Sequence, residues 1–391
     1  MTNELELYFH IPFCLKKCKY CDFLSFGADS PQMGGKTMAR YLDSLIRETV
    51  MRAGDYRDYR IVSVFVGGGT PSMVRPEFLA ELMAAVREHY QLAEDAEITI
   101  EVNPGTVDER ALHCYRQAGI NRLSIGLQSA DNGELAALGR VHTYGQFLGA
   151  YYAARRCGFS NVNVDIMSAL PGQTLEGYLD TLGKVLALEP QPEHISAYSL
   201  ILEEGTLLWE QAERGELDLP DEDTDREMYD AAKRVLEGAG YVRYEISNYA
   251  RPGYECRHNC GYWRRRDYAG FGIGAASLIG NVRFQNGEDL RAYLVNPTGC
   301  QCDRQVLSVS EQMEEFMFLG LRMTAGVSAK EFAACFGKEP EQVYGEVIQK
   351  NIRDGLLKWL GGLSGNPADR RLALTEKGLD LANYVMAQFL F

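Results

Sequence analysis

Short apolar runs alternate with longer amphipathic segments through the first half of the chain. The runs are rich in β-branched and aromatic residues and predict six strands, at 5–11, 61–66, 98–102, 122–127, 162–167 and 195–200. Helices are predicted between them near 38–53, 76–90, 107–118, 143–157 and 174–188. Each is long enough for a right-handed crossover between parallel strands. Six such units are two short of a closed eight-fold barrel, so the pattern predicts an α/β fold with an open, partial (β/α)6 barrel.

The pattern changes after residue 202 and predicts three regions along the chain. We expect the barrel core at 1–245, a connecting segment with a second motif at 246–310, and a mainly helical domain at 311–391. Around 355–378 the last of these has the strand-turn-strand sequence pattern that is typical of a winged helix. Basic and acidic residues are equal in number from 328 onward, which favours a structural or partner-binding role over DNA binding.

Polar motifs follow the predicted strands at their carboxyl ends. Cysteines follow the first strand and a run of three glycines follows the second; the later strand ends carry Glu101, Gln128 and Asp165. The carboxyl ends of parallel strands meet at one edge of a sheet, where β/α proteins place their active sites. We therefore expect these residues to line one pocket.

Cys14, Cys18 and Cys21 lie in one short loop, with gaps of three and two residues between them. Three thiolates can hold three irons of a [4Fe-4S] cluster and leave the fourth iron open. A zinc site is the less favoured alternative because Asp22 and Phe23 follow in place of a fourth thiolate or imidazole, and three unrelated thiols are another. The loop resembles that of radical S-adenosylmethionine (SAM) proteins. The resemblance implies that SAM chelates the open iron and that an electron from the cluster cleaves it.

The residues around this loop suit a SAM pocket. Glycines at the strand edge allow a close approach of the ligand, carboxylates accept from hydroxyls or an amine, and a guanidinium can hold a carboxylate. The candidates are Gly68, Gly69, Thr70, Glu101, Gln128, Arg140 and Asp165. Taken alone, Arg140 is better explained by an ordinary strand-end cap or a surface ion pair.

Several longer motifs extend the resemblance over nearly the whole chain. They are Tyr8-Phe-His-Ile-Pro-Phe, Gly67-Gly-Gly-Thr-Pro, Glu101-Val-Asn-Pro, Ser124-Ile-Gly-Leu-Gln, Asp165-Ile-Met, Leu170-Pro-Gly-Gln and Tyr244-Glu-Ile-Ser-Asn. These motifs resemble those of the oxygen-independent coproporphyrinogen III oxidase superfamily. The resemblance implies that Tyr8, Gly68, Gly69, Thr70 and Glu101 contact cluster-bound SAM. It further implies that Gln128, Arg140 and Asp165 line the same or an adjacent SAM site.

Within that superfamily the chain is most similar to the HemW-type haem chaperones. The oxidases carry a further Cys two positions after the third cluster Cys, where this chain has Phe23. They also carry a long N-terminal extension, whereas the first predicted strand of this chain begins at residue 5. The chaperones carry a His-Asn-x-x-Tyr-Trp motif, matched here by His258, Asn259, Tyr262 and Trp263. Cys260 departs from the expected apolar residue, and the following arginines make the segment unusually basic.

The second motif suits a porphyrin. We expect His258 to be the axial ligand, with Cys256 as its competitor and Arg264 to Arg266 near the propionates. From residue types alone, the second motif is better explained as a core His-Asn pair beneath a packed Trp than as a haem site. The resemblance to the chaperones makes the haem site the favoured explanation. A metal site of Cys256, Cys260, Cys300 and Cys302 is a weaker alternative because its spacing matches no standard zinc pattern.

The resemblance implies a protein that binds a [4Fe-4S] cluster, SAM and haem and delivers haem to haemoproteins, membrane-bound ones among them. The alternatives are an oxidase of porphyrin biosynthesis and a SAM-dependent radical modification of haem. No catalytic residue is assigned. Two further questions stay open: whether the chain is an enzyme, and whether it forms a homodimer.

Composition and charge limit the classes of partner and the cellular compartment that we expect. A net charge of −14 disfavours nucleic-acid partners, including the RNA substrates of some radical SAM enzymes. The 391 residues are 46% hydrophobic, enough for a large core. Acidic residues at the start and the lack of a long apolar run predict a cytoplasmic protein. Its ten cysteines are then metal ligands or buried thiols rather than disulfides.

Overall fold

Six parallel strands, in chain order, form the centre of a twelve-stranded sheet in the computed structural model, which describes residues 3–361 and 370–391. They are β1 Asn3–Ile11, β2 Tyr59–Gly68, β3 Gln91–Val102, β4 Arg122–Gln128, β5 Val162–Ser168 and β6 His194–Ser199. β1 and β6 pair on their outer sides with later strands and not with each other, so the barrel is open. The predicted fold class is confirmed.

The five predicted crossover helices are present, with a short additional helix between β4 and β5 and two more helices after β6. In chain order they are α1 Gly35–Arg52, α2 Pro76–His89, α3 Glu109–Gln117, α4 Asn132–Ala137, α5 Tyr144–Arg156, α6 Leu175–Leu186, α7 Leu207–Glu213 and α8 Glu222–Gly238. Several begin where a side chain accepts a hydrogen bond from a backbone N–H of the first turn, as Asp108, Thr143, Thr174 and Asp221 do. The difference lies in β3, which starts at Gln91 rather than at residue 98. Exposed Glu94 and Asp95 interrupt its apolar pattern. β3 nevertheless pairs with β2 at Gln91 and Leu92 and again from Glu97, on either side of an irregularity in the register.

Alternation along the strands separates an apolar outer face from a polar inner one. On β1, Leu5, Leu7, Phe9 and Ile11 are fully buried in the main core cluster. The residues between them, Glu6, Tyr8 and His10, point to the other face, because successive side chains of a strand alternate. We call the space that these inner faces enclose the lumen.

The segment from 242 to 306 completes the sheet at both edges. It contains β7 Val242–Arg243, β8 Asn248–Ala250, α9 Arg257–Trp263, β9 Asp267–Phe271, β10 Ala276–Ile279, β11 Val282–Asn286, α10 Leu290–Val295 and β12 Gln301–Val306. β8 pairs with β6, while β9 pairs in parallel with β1 and is followed by the antiparallel β10 to β12. The predicted division into three domains stays a prediction, and the structure adds that its middle region shares the sheet of the first.

The C-terminal region has its own apolar cluster and a small sheet. Its elements are α11 Val309–Gly320, β13 Val327–Ser328, α12 Ala329–Phe336, α13 Pro340–Arg353, β14 Leu357–Leu360, β15 Arg371–Leu374, α14 Glu376–Asp380 and α15 Ala382–Ala387. The strands lie in the order β13-β15-β14. This arrangement is winged-helix-like; most of the turn predicted between β14 and β15 falls on residues 362–369, outside the described residues.

No helix in the described part of the chain combines the length and the apolarity needed to cross a membrane.

A buried carboxylate joins α1 to the strands at the β1 edge. Glu48, which is 0% exposed, accepts hydrogen bonds from Arg52 Nη1 at 2.9 Å and Tyr293 Oη at 2.8 Å. It also accepts from Asn286 Nδ2 and from the backbone N–H of Gly272, both at 2.8 Å. The four donors satisfy a charge that would otherwise be costly to bury.

Replacing Glu48 tests whether this carboxylate holds the edge of the sheet. We expect Glu48→Ala to lower the free energy of unfolding by about 3–5 kcal/mol, since it leaves the Arg52 charge buried and unpaired. The measurement is chemical denaturation followed by circular dichroism. Glu81→Ala is the matched control: Glu81 pairs with Arg75 at 2.6 Å but is half exposed, so its loss costs at most about 1 kcal/mol. Equal effects of the two changes would contradict the prediction.

Candidate functional site

The cysteine loop is fixed to the carboxyl end of β1 by backbone hydrogen bonds. Cys14 N–H donates to the Phe26 carbonyl at 2.9 Å, and Phe26 N–H donates to the Pro12 carbonyl at 2.7 Å. As a result Cys14, Cys18 and Cys21 line one cavity of about 160 Å³, which we call the cysteine cavity. Burial raises the pKa of Cys14, and it raises the pKa of Cys21 to about 11.

The three thiols suit a cluster better than a single metal ion. Among the described residues, no three His, Cys, Asp or Glu side chains converge closely enough to hold one ion. A [4Fe-4S] cluster does not require such convergence because each thiolate binds a different iron. Polar groups also approach the sulfurs: Thr70 Oγ1 lies 3.5 Å from Cys14 Sγ, and Arg140 Nη1 lies 3.7 Å from Cys18 Sγ.

The cysteine cavity also contains nearly all the residues predicted to bind SAM. Its lining includes Gly68, Gly69, Thr70, Glu101, Gln128, Arg140 and Asp165. Tyr8 lies instead on an adjoining cavity, which shares Gly68, Glu101 and Asp165 with this one. The structure therefore brings these predicted residues to one end of the barrel, although their roles in binding are not shown by it.

The glycines at the end of β2 are required by close packing. Gly68 has φ +109°, and a Cβ there would lie 2.5 Å from His10 Nδ1. A Cβ on Gly69 would lie within 3 Å of the Ile11 and Phe13 carbonyl oxygens. The backbone N–H of Gly69 donates to the same Ile11 carbonyl at 2.8 Å, so these glycines press the end of β2 against the start of the cysteine loop.

Two carboxyl groups line this pocket, Glu101 on β3 and Asp165 on β5, with β4 between the two strands. Glu101 accepts from Gly68 N–H at 3.0 Å, and Asp165 accepts from Asn163 Nδ2 at 2.7 Å. Burial, aided by the nearby Asp165 charge, raises the pKa of Glu101 to about 8. Burial also raises the pKa of Asp165. Glu101 is thus largely protonated at neutral pH until a cationic or donor group approaches it.

Arg140 is half-buried, and within the described residues it forms no surface ion pair of the kind that its residue type favours. Its Nη2 donates to the Gly126 carbonyl at 2.8 Å while Nη1 faces Cys18. Gln128 has a left-handed backbone with φ 70°, and its Oε1 accepts from Tyr198 Oη at 3.0 Å. Both side chains are thereby aimed at the cavity rather than at solvent.

A larger cavity lies deeper in the barrel. It measures about 450 Å³, and we call it the lumen cavity. It adjoins the cysteine cavity through Phe23, Gly68, Glu101, Ser124, Asp165 and Tyr198, which line both. Three residues of the second motif, His258, Asn259 and Tyr262, line it from α9.

α9 is held against the lumen by the inner faces of β1 to β3. The Glu97 carboxylate accepts from the backbone N–H groups of Arg257 and His258, each at 3.1 Å. Ser63 Oγ lies 2.8 Å from His258 Nδ1, and Tyr262 Oη lies 3.0 Å from His258 Nε2. Burial, with the nearby Arg122 and Arg266 charges, lowers the pKa of His258 to about 3, so the imidazole is neutral.

The motif also borders a third cavity, on the face of β9 to β11 that continues the inner face of β1; we call it the outer cavity because these strands lie outside the six-stranded barrel. This outer cavity measures about 360 Å³, and its lining includes Tyr8, Tyr262, Trp263, Tyr268, Leu278, Leu319, Arg265 and Arg283. Tyr8 and Tyr262 line the lumen cavity as well. The two tyrosines therefore separate a polar cavity from a largely aromatic one.

The arginines that follow the motif are mostly engaged within the protein. Arg265 Nε and Arg283 Nη2 each lie 2.7 Å from the Glu315 carboxylate. Arg266 pairs with Glu6 at 2.9 Å and with Glu4 at 3.0 Å. The predicted arginine cluster is thus divided between two sets of carboxylates, and it does not form one free basic patch.

The four cysteines of the alternative metal site do not converge on one point. Cys256 Sγ lies 3.6 Å from Glu97 Oε1, whereas Cys300 Sγ lies 3.2 Å from the Pro297 carbonyl and Cys302 is half-exposed beside Asp303. Within the described ranges they form no group that could hold a metal. The alternative metal site is therefore wrong.

Several site residues were missed by sequence reasoning. His10 is one: Tyr8 Oη donates to its Nδ1 at 3.0 Å, and its Nε2 donates to the Leu24 carbonyl at 2.8 Å, which ties β1 to the cysteine loop. The others lie on the inner faces of the strands: Ser63, Phe65, Glu97, Arg122, Asn163 and Tyr198. Polar residues at alternate positions of otherwise apolar strands are a signal that could have found most of them.

Comparisons with known proteins agree with this geometry. The model of the Radical SAM superfamily matches residues 8–185, and that of the HemN C-terminal domain matches 307–381. The chain is 36% identical to the heme chaperone HemW of Lactococcus lactis, over 98% of this chain and 96% of that protein. It is 35% identical to the heme chaperone HemW of Bacillus subtilis, over 98% of both.

One solved structure covers almost the whole fold. The coproporphyrinogen III oxidase HemN of Escherichia coli, described as a radical SAM enzyme, superposes with a TM-score of 0.83 over 99% of this chain and 90% of that one. The two are 24% identical, so this likeness shows the fold alone.

A methyl group at Gly68 tests the packing of the cysteine loop. We expect Gly68→Ala to displace the His10 ring, weaken its bond to Leu24 and reduce the iron retained after anaerobic reconstitution. Gly158→Ala is the control because Gly158 also has a left-handed φ, +85°, but nothing lies within 4 Å of its Cβ position. It should cost only roughly 1–2 kcal/mol of stability and leave the iron content unchanged. Equal iron content in the two variants would contradict the expectation.

Proposed function

The chain belongs to the HemW-type group of the radical SAM superfamily, and on that basis we propose that it is a haem chaperone. It binds haem, a [4Fe-4S] cluster and SAM and delivers the haem to haemoproteins. The observation that carries the proposal is the position of the second motif. Tyr262 and Trp263 face the aromatic outer cavity, while His258 and Tyr262 face the lumen that leads to the cysteine cavity.

Cys14, Cys18 and Cys21 would hold the cluster, which supplies an electron to SAM when both are bound. Gly68, Gly69 and Thr70 would let the methionyl group approach the strand edge, and Glu101 would accept from its amine. Gln128, Arg140 and Asp165 would complete the same or an adjacent SAM site, with Tyr8 at its inner side. The convergence of their side chains at one end of the barrel supports these roles.

His258 is proposed as the axial haem ligand, through Nε2. Metal-binding histidines normally use their other ring nitrogen in a hydrogen bond that orients the ring, and Ser63 occupies Nδ1 in this way. Coordination requires Tyr262 Oη to leave Nε2, and Tyr262 lies where the two cavities meet. Cys256 is the weaker candidate because burial strongly raises its pKa and so opposes the thiolate.

The partners follow from this role. They are haem and recipient haemoproteins, membrane-bound ones included, and we propose that the protein works in the cytoplasm. Oxidation of coproporphyrinogen III is the competing function, since HemN shares the fold. Anaerobic incubation of the cluster-loaded protein with SAM and coproporphyrinogen III separates the two: released carbon dioxide would favour the oxidase.

Haem titration monitored by absorbance tests the ligand. We expect a Soret band in the wild type, its loss or shift in His258→Ala, and a different band in His258→Met, because a thioether also ligates haem iron. Cys256→Ser and the surface control His113→Ala should leave the spectrum unchanged. A wild-type spectrum in both His258 variants would refute the ligand, and failure of the wild type to bind haem would refute the chaperone proposal.

The pH dependence of SAM binding tests Glu101. Its pKa is about 8 in the free protein, so accepting a hydrogen bond from the amine releases a proton at lower pH. SAM affinity should therefore strengthen as pH rises from about 6 to about 8, by at most roughly tenfold per unit, and then level off. The measurement is anaerobic calorimetry on the cluster-loaded protein.

Glu101→Gln should bind more weakly and show a shallower slope. The amine of SAM titrates in both proteins, so the difference between the two slopes reports the side chain itself. Glu81→Gln, on the surface, should follow the wild type. Identical slopes in wild type and Glu101→Gln would remove Glu101 from the site.

A further inference from the structure

Arg122, the first residue of β4, is a buried guanidinium on the wall of the lumen cavity. It is 2% exposed and is among the largest fully buried side chains of the protein. Its Nε has no hydrogen-bond partner. In the ranges that the structure describes, neither terminal nitrogen makes a hydrogen bond or an ion pair with the protein.

The neighbouring carboxylates do not satisfy this charge. Glu97 and Asp165 act on Arg122 electrostatically, but neither lies within the 4.0 Å of an ion pair. Both have other donors: Glu97 accepts from two backbone N–H groups of α9, and Asp165 accepts from Asn163 at 2.7 Å and Ser124 at 3.3 Å. They shape the field around Arg122 and leave its donors unused.

Other buried arginines of the protein have partners. Buried Arg52 pairs with Glu48, and the mostly covered side chains of Arg155 and Arg265 pair with Glu193 and Glu315, each within 3 Å. A buried arginine cannot shed its proton to escape the cost of desolvation. An unpaired guanidinium that borders a 450 Å³ cavity is therefore suited to an anion that enters from outside.

We propose that Arg122 anchors the carboxylate of a ligand held in the lumen cavity. A guanidinium matches a carboxylate with two parallel hydrogen bonds, which a cavity of this depth would shield from water. Arg122 does not line the cysteine cavity, so the carboxylate of cluster-bound SAM is not its partner. The inference rests on the proposed function, which offers two sources of the group: a propionate of haem or the amino-acid carboxylate of a second SAM molecule.

Binding measurements on Arg122 variants distinguish these sources. The cluster-loaded protein is titrated anaerobically with haem, haem dimethyl ester and SAM, in wild type, Arg122→Met and Arg122→Lys. If a propionate is bound, Arg122→Met weakens haem binding roughly ten- to a hundredfold but leaves that of the dimethyl ester unchanged. If an amino-acid carboxylate is bound, Arg122→Met loses one equivalent of SAM and keeps its affinity for haem. Arg122→Lys, which keeps the charge without the fork, should lie between the two.

Thermal unfolding without ligand separates an anchor from a structural charge. Removing an unpaired buried charge should leave the melting temperature of Arg122→Met unchanged or higher. Arg110→Met, an exposed arginine on α3, is the control that alters neither binding nor melting.

Three results would overturn the inference. The first is wild-type binding of all three probes by Arg122→Met. The second is equal weakening of every probe together with a lower melting temperature, which marks a structural role. The third is a wild type that binds neither haem nor SAM, which refutes the proposed function itself and with it this anchor.

Discussion

The hydrogen bonds from the start of α9 to Glu97 on β3 join the segment that carries the second motif to the six-stranded barrel, and the arrangement of both depends on this contact. Glu97 is 4% exposed, and its carboxylate accepts from the first two N–H groups of the helix. A helix start has unpaired donors and a partial positive charge, and a strand that points a carboxylate into the lumen supplies the matching acceptor. This contact closes one end of the barrel with α9 and leads the chain into β9, beside β1.

With α9 covering one end of the barrel, the polar side chains of the inner faces divide into a set near α9 and a set near the cysteine cavity. The inner faces of the strands carry buried and half-buried polar groups, and these find partners or border a cavity. Near α9 they pair with the second motif, as Ser63 does with His258 and Glu6 with Arg266. Towards the carboxyl ends they surround the cysteine cavity. The lumen cavity lies between these two sets and connects a motif from the middle of the chain with a loop at its start.

Electrostatics inside the barrel favour ligands that bring both signs of charge. Glu101 is largely protonated in the free protein because burial raises its pKa, while Arg122 stays charged and unpaired. A molecule with an ammonium or hydroxyl donor at one end and a carboxylate at the other would ionise the first and neutralise the second. His258 is buried and neutral, which is the state in which an imidazole can bind a metal of intermediate softness. This combination suits amino-acid and porphyrin ligands better than apolar ones.

The sequence by itself determined the order of strands and crossovers, the cysteine loop and the pocket at the strand ends, because each depends on local periodicity or close spacing. It did not reveal that β3 begins at Gln91, since the first pairs with β2 precede an irregularity in the register that contains exposed Glu94 and Asp95. Only the tertiary structure decided the setting of distant charges. Arg140 lies half-buried beside Cys18, Arg265 and Arg266 are bound by Glu315 and Glu6, and Arg122 is left unpaired. Partners up to 260 residues apart along the chain meet through the sheet, and no local pattern records such a pairing.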